Sequence, residues 1–424
     1  VEQYIFKEVV MERRRVVVTG IGVTVPGGIG TGQLWNHIHD GVSAAGIVDD
    51  FREEHLPVHI GAEVKDFDPA EFIDRKSISR TERCTQFALA SAELAYHDAG
   101  CTVDCTTSKR TGVFDGTSLG SINSNLSQQR AMLGAPSARV SPSALLKGMT
   151  GSSSGDVALH FHAHGPAVTF SMGSVSSSYA IGYAFRKIKM NELDVAFAGG
   201  AEAPLSKEII SLFSTAHLLS TDNDCPATAC KPFDVHRNGF VMGEGGAMMI
   251  LEELQQALKR GAHIYAEIAG FGESTDAYHQ TTPDPEGSMI VDAMEAAMKE
   301  ANIRPYEVQY INAHGTATQF NDAAEAKAIQ RVFSESGRSP AVSSTKPITG
   351  HLLGACGAVE LAITSLAIFH QWIPPTMNLK EPEPAFDLDC VPQHGRSCEI
   401  NVAISNNYSF GGRNSSLVIK RWIQ

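Results

Sequence analysis

No Cys-x-x-Cys pair occurs among the eight cysteines of this 424-residue chain. A paired disulfide framework and a zinc knuckle are therefore poor readings, and reduced, scattered thiols are the better one. Positive charge is scarce: 34 Lys and Arg face 47 Asp and Glu, for a net charge of −13. That balance argues against general nucleic-acid binding, although a local basic patch stays possible. Long apolar runs are missing. The longest, residues 355–369, contains Glu360 and falls short of the roughly 20 residues needed to cross a bilayer. Residues 1–10 include Glu2, Lys7 and Glu8 and do not resemble a secretion signal, so the expected location is the cytoplasm. No G-x-G-x-x-G stands between a first strand and a helix, and no GK[ST] occurs, so a nucleotide site is weakly supported.

What is present is ordinary globular composition, 43% hydrophobic and 19% charged, in a chain long enough to bury a core without metal or disulfides. Strand and helix patterns alternate. "RVVVTGIG" (15–22) is a β-branched run stopped by glycine, and "CTQFALASAELAYHDAG" (84–100) is an amphipathic helix with a glycine stop. "GDVALHFHAHG" (155–165) is expected to be helical, and "AVTFS" a strand leading into the helix "SSYAIGYAFRKIKMNE". A second series begins at "IYAEIAGFG" and includes the strand "VQYINAHG" and the helices "NDAAEAKAIQRVF" and "ACGAVELAITSLAIFHQ". Each half reads βαβα, which predicts a parallel or mixed sheet covered by helices. The expected division is an extension at 1–10, one half at 11–260 and a second at 261–424.

Three separated stretches place polar groups where strands give way to loops, the usual ligand end of an α/β sheet. They are "FSMGSVSSSYAIGY" with Ser174, "NAHGTAT" with His314, and "SSTKPITGHLLGACG" with Lys346 and His351. Together with "KPFDVHRNGFVMGEGGAMMILEEL" and "PPTMNLKEPEPAFDLDCVP", these stretches resemble the β-ketoacyl synthases of the thiolase superfamily, most closely the ketosynthase-alpha subunits of type II polyketide synthases. The resemblance implies a thiolase fold, two similar βαβα halves in a five-layer αβαβα arrangement, and a dimer. It implies decarboxylative condensation of acyl and malonyl units carried on acyl carrier protein. No cofactor or metal is implied beyond the carrier's phosphopantetheine arm. The partner would be a chain-length-factor subunit or a second copy, with no nucleic acid or membrane involved. The alternatives are a fatty-acid elongating synthase and a non-condensing subunit of chain-length-factor type.

Carried over position by position, the resemblance makes Ser174 the nucleophile, with its backbone N–H and that of Phe410 as oxyanion hole. His314 and His351 would stabilise the malonyl enolate, and Lys346 would support them. Glu325 would be a structural carboxylate pairing with Lys346. Thr316 and Thr318, and more weakly Thr281, would hold the phosphopantetheine arm. The family places cysteine where Ser174 stands, and a hydroxyl is a poorer nucleophile than a thiol at neutral pH. An engineered change, a natural serine variant and a silent partner subunit are the three explanations, and the first predicts impaired activity. "HFHAH" puts His160 and His164 on one helix face but has no further metal ligand nearby. "DRKSISRTER" offers Arg75 and Lys76 either as a solvated face or as a dock for an acidic carrier protein.

Overall fold

The computed structural model describes residues 14–52, 56–104, 107–134, 142–337 and 339–423. The expected extension at 1–10 lies outside them. Ten main strands form one continuous sheet path. In chain order they are β1 (Val16–Val25), β2 (Thr111–Thr117), β3 (Ala167–Ser171), β4 (Val195–Glu202), β5 (Gly245–Glu253), β6 (Ala266–Thr275), β7 (Tyr310–Asn312), β8 (Ala341–Ser343), β9 (Val402–Ser409) and β10 (Arg413–Lys420). Their spatial order is β8-β7-β9-β10-β6-β1-β5-β4-β2-β3. The path divides into two five-stranded halves of the same design. In each, three strands run parallel (β3, β2, β4 and β8, β7, β9) and two more pair antiparallel beside them. The halves join where Val16–Val18 of β1 pair with Ala266–Ile268 of β6.

Five helices matter for the layers: α1 (Arg83–Ala99), α2 (Ser176–Lys189), α3 (Ser288–Glu300), α4 (Gln319–Phe333) and α5 (Cys356–His370). Helix α1 covers the outer face of the first half, and α3 covers that of the second. Helices α2 and α5 pack together between the halves. This is a five-layer αβαβα thiolase fold, as the sequence led us to expect. Residues 353–370 are apolar enough and long enough to span a membrane, yet 89% of that stretch is buried inside the protein, as a core helix would be. The small residues of α5 explain the burial: Ala358, Ala362 and Ala367 let it pack closely between two sheets.

One helix ends sooner than its pattern suggested. The helix expected over 155–165 runs Ser152–His160, and His162 turns to φ 53°. His164 therefore does not share a helix face with His160, whose Nε2 instead lies 3.2 Å from Glu93. Among the described residues no group of three or more His, Cys, Asp or Glu is placed to hold a metal, and the seven described cysteines are free.

Candidate active site

The turn from β3 into α2 is set by Gly173, which sits at φ +72°. A Cβ there would lie 2.0 Å from Ser409 Oγ, so only glycine fits. The turn is tied by Ser176, whose hydroxyl donates to Gly173 O at 2.6 Å and accepts from Met172 N–H at 2.8 Å. Ser174 is left half-buried, two residues ahead of the first turn of α2, where the helix dipole favours negative charge. Its backbone N–H donates to Ser409 Oγ at 3.0 Å.

A cavity of about 100 Å³ opens over this turn. Ser174, His314, His351 and Phe410 line it, as do Thr281, Thr316 and Thr318, so the structure brings together most of the side chains singled out from the sequence. Ser174 Oγ lies 3.4 Å from His351 Nε2. The two imidazole rings stand 5.5 Å apart, nearly perpendicular. Thr316 and Thr318 join hydroxyls at 2.8 Å, while Thr281 is exposed at the rim. Phe410 is 42% exposed beside them, in the hairpin between β9 and β10.

The hydrogen bonds assign a tautomer to each histidine. Leu353 N–H donates to His351 Nδ1 at 3.0 Å. The ammonium of Lys346 lies 3.3 Å from His314 Nδ1 and the amide nitrogen of Asn407 lies 3.4 Å from it; both groups can only donate. Each Nδ1 is therefore an acceptor, and each Nε2 carries the proton. Burial first, then the charge of Lys346, pushes both histidines well below the ordinary 6.5, with His351 adding to the effect on His314. The site thus presents two neutral N–H donors, the arrangement suited to an oxygen that becomes negative during reaction.

Lys346 is fully buried and donates to His314 O at 2.5 Å. Its carboxylate partner is Glu360 on α5, not Glu325 as expected. Glu360 in turn accepts from Asn407 at 2.5 Å. Burial alone would lower the Lys346 ammonium, but Glu360 together with Cys356 and Glu325 offsets it and raises the group above its ordinary value. Glu325 instead accepts from the backbone N–H of His314 at 2.8 Å and of Gly315 at 2.7 Å, holding the strand-to-loop turn that carries the histidine. The sequence reading missed Glu360, Asn407 and Ser409. The only available signal was a lone glutamate inside the apolar run of α5. It also passed over Cys356, whose Sγ stands 3.2 Å from His351 Nδ1 at the start of α5. Arg75 and Lys76 are exposed on the short helix Arg75–Arg80, whose first turn is capped by Asp74.

The N-terminal domain of the β-ketoacyl synthases matches residues 13–257, and their C-terminal domain matches residues 265–380. The chain is 41% identical to the 3-oxoacyl-[acyl-carrier-protein] synthase 2 of Coxiella burnetii, over 97% of this chain and 99% of that one. It is 39% identical to the synthase 2 of Synechocystis with the same coverage. Among solved structures, a β-ketoacyl synthase from Burkholderia phymatum aligns at TM-score 0.88 with 35% identity. It covers 97% of this chain and 100% of its own. A type II polyketide ketosynthase in complex with its acyl-carrier protein aligns at 0.89 with 32% identity and the same coverage.

These likenesses correct the placement drawn from the sequence. Identity is higher to the 3-oxoacyl synthases than to the polyketide ketosynthase, so the ketosynthase-alpha reading gives way to its fatty-acid synthase alternative. The expectation of an engineered serine with impaired activity falls with it. The relatives it matches from end to end are synthases. Two domain matches that together span most of the chain, and relatives near 40% identity from end to end, make this protein a member of the β-ketoacyl synthase family.

Proposed function

We propose that the protein is an active 3-oxoacyl-carrier-protein synthase, lengthening a carrier-bound acyl chain by decarboxylative condensation with a malonyl unit. The observation that carries this reading is the pair of Nε2–H donors converging with the Ser174 hydroxyl on one cavity. The acyl thioester would be attacked by Ser174 Oγ, whose proton leaves with the departing carrier thiol. The tetrahedral oxyanion would take the place of Ser409 Oγ on the Ser174 N–H, with Phe410 N–H as second donor. The malonyl thioester would then seat its carbonyl oxygen on His314 and His351. Loss of CO2 leaves an electron pair spread into an enolate that the two N–H groups stabilise. Its carbon attacks the acyl ester, Ser174 Oγ departs and takes a proton from solvent water, and a 3-oxoacyl thioester remains. Thr316, Thr318 and Thr281 line the path of the phosphopantetheine arm. Lys346 and Glu325 act through the histidines.

A second reading gives the acyl group to Cys356, favoured by its contact with His351. Against it, Cys356 is buried outside the cavity lining, and burial pushes its thiol far above the ordinary range. Acyl carrier protein is the proposed partner, docking on Arg75 and Lys76. Strand β3 ends the sheet with exposed residues, which supports pairing with a second copy along that edge. Incubation with acyl- and malonyl-carrier protein should give a product two carbons longer with a 3-keto group. CO2 release without chain extension would overturn the reading.

A further inference from the structure

Glu202, the last residue of β4, is completely buried and takes no part in the chemistry above. Its carboxylate is ringed by donors rather than paired with a cation. It accepts the backbone N–H groups of Ser118 at 2.5 Å, Leu119 at 3.2 Å and Gly120 at 3.1 Å, and the hydroxyl of Thr117 at 3.1 Å. These come from the end of β2 and the loop that follows it, in the first half of the molecule. One further donor comes from the second half: Gly354 N–H, at 3.1 Å. Gly354 presses against that loop so closely that a Cβ would lie 2.3 Å from Ser118 N.

The turn held in this way is the one that orients a catalytic histidine. Leu353, the neighbour of Gly354, adopts φ +44°, a conformation a leucine enters only under constraint. In that conformation its N–H points back at His351 Nδ1. Rotating the Leu353–Gly354 turn would withdraw the N–H donor to Nδ1 and leave only the thiol of Cys356, a weak donor 3.2 Å away. The imidazole would then be free to carry its proton on Nδ1 and lose the N–H facing the cavity. We propose that Glu202 is a positioning residue for His351: by gripping Gly354 it fixes the turn whose Leu353 N–H keeps the Nε2 proton of His351 aimed at the substrate. The grip crosses from one half of the fold to the other, so it also sets the spacing between Ser174, carried by the first half, and His351, carried by the second.

This inference rests on the donor role given to His351 under the proposed function, and the controls separate the two. Glu202→Gln keeps the size but puts an NH2 group against N–H donors. Glu202→Asp keeps the charge but shortens the reach to Gly354. In both variants acyl loading should stay within about twofold. CO2 release from malonyl-carrier protein should fall at least tenfold through kcat, with KM little changed. Side-chain 15N shifts of His351 should move from a single Nε2–H tautomer to a mixture. The 15N reading needs no turnover, so it holds whichever residue accepts the acyl group. If His351→Ala leaves CO2 release intact, the functional reading of His351 fails. If His351→Ala loses it while both Glu202 variants keep wild-type CO2 release and an unmixed tautomer, the positioning role is overturned. Should Glu202→Gln not fold, Glu202→Asp gives the same two readouts.

Discussion

The two halves of the molecule share a strand order but use it differently. In the first half, β3 feeds α2 through a glycine-strained turn, and the residue at the turn, Ser174, opens on the cavity. In the second, the segment after β8 passes Lys346 and His351 before α5 begins at Cys356, sealed from the cavity. Both halves thus set a small nucleophilic side chain at the head of a central helix, but only one leaves it accessible. The second half spends its interior on charge and donors: a buried lysine, its glutamate and two neutral histidines. Under the proposed mechanism the two halves divide the labour, with attachment on one side and electrostatic stabilisation on the other.

That division makes the second half the fragile one. Lys346→Met should leave Glu360 buried without its counter-charge, and removal of one partner from a buried pair costs about 3–5 kcal/mol. Urea unfolding measures it, and a loss below about 1 kcal/mol would show that the pair is not the anchor of this half. The chemistry should divide along the same line. His314→Ala and His351→Ala each remove one donor to the enolate, worth roughly a hundred- to a thousandfold in rate. CO2 release should fall by that amount while acyl loading continues. Equal loss of both steps would blur the comparison.

A gentler probe is pH. Burial pushes Glu325 up to about 8 from an ordinary 4.5, ahead of the opposing pull of its two backbone N–H bonds. Between those limits the folded protein holds a proton that the unfolded chain releases. The stabilising contribution of this group is full below about 4.5 and is lost as pH rises through 8. Glu325→Gln should therefore flatten the stability profile across that window, measured by thermal unfolding at a series of pH values. An unchanged slope would show that Glu325 is ionised throughout. The smallest effect belongs to the surface. Reversing Arg75 and Lys76 should weaken carrier-protein binding mainly at low salt, since screening shortens from about 10 Å at 0.1 M to 3 Å at 1 M. Turnover of a small soluble thioester should not change. Equal carrier affinity at low salt would leave these residues as a solvated face.

Much of the fold could be read from local patterns: a β-branched run closed by glycine gave β1, "IYAEIAGFG" gave β6, and amphipathic stretches gave helices beside them. The candidate catalytic side chains were visible because each sits at a strand-to-loop junction. What could not be read are contacts made across the halves. Glu360 meets Lys346 because α5 returns beneath the turn that carries the lysine, whereas Glu325 was paired with Lys346 only on the family resemblance. Ser409 reaches Ser174 from 235 residues away. His164 was misplaced because a helical spacing continued past the point where His162 reverses the backbone. The polyketide placement failed for another reason. It rested on motif resemblance, whereas identity along the full chain favours the 3-oxoacyl synthases.

The most direct measurement is to trap the acyl group and find the atom that holds it. The protein is incubated with acyl-carrier protein alone, digested, and mapped by peptide mass spectrometry, alongside Ser174→Ala and Cys356→Ala. Ser174 lines the cavity and Cys356 does not. The adduct should therefore map to the peptide containing Ser174, vanish in Ser174→Ala and persist in Cys356→Ala. An adduct on Cys356 that survives Ser174→Ala would contradict the division of labour between the halves and move the nucleophile to the head of α5.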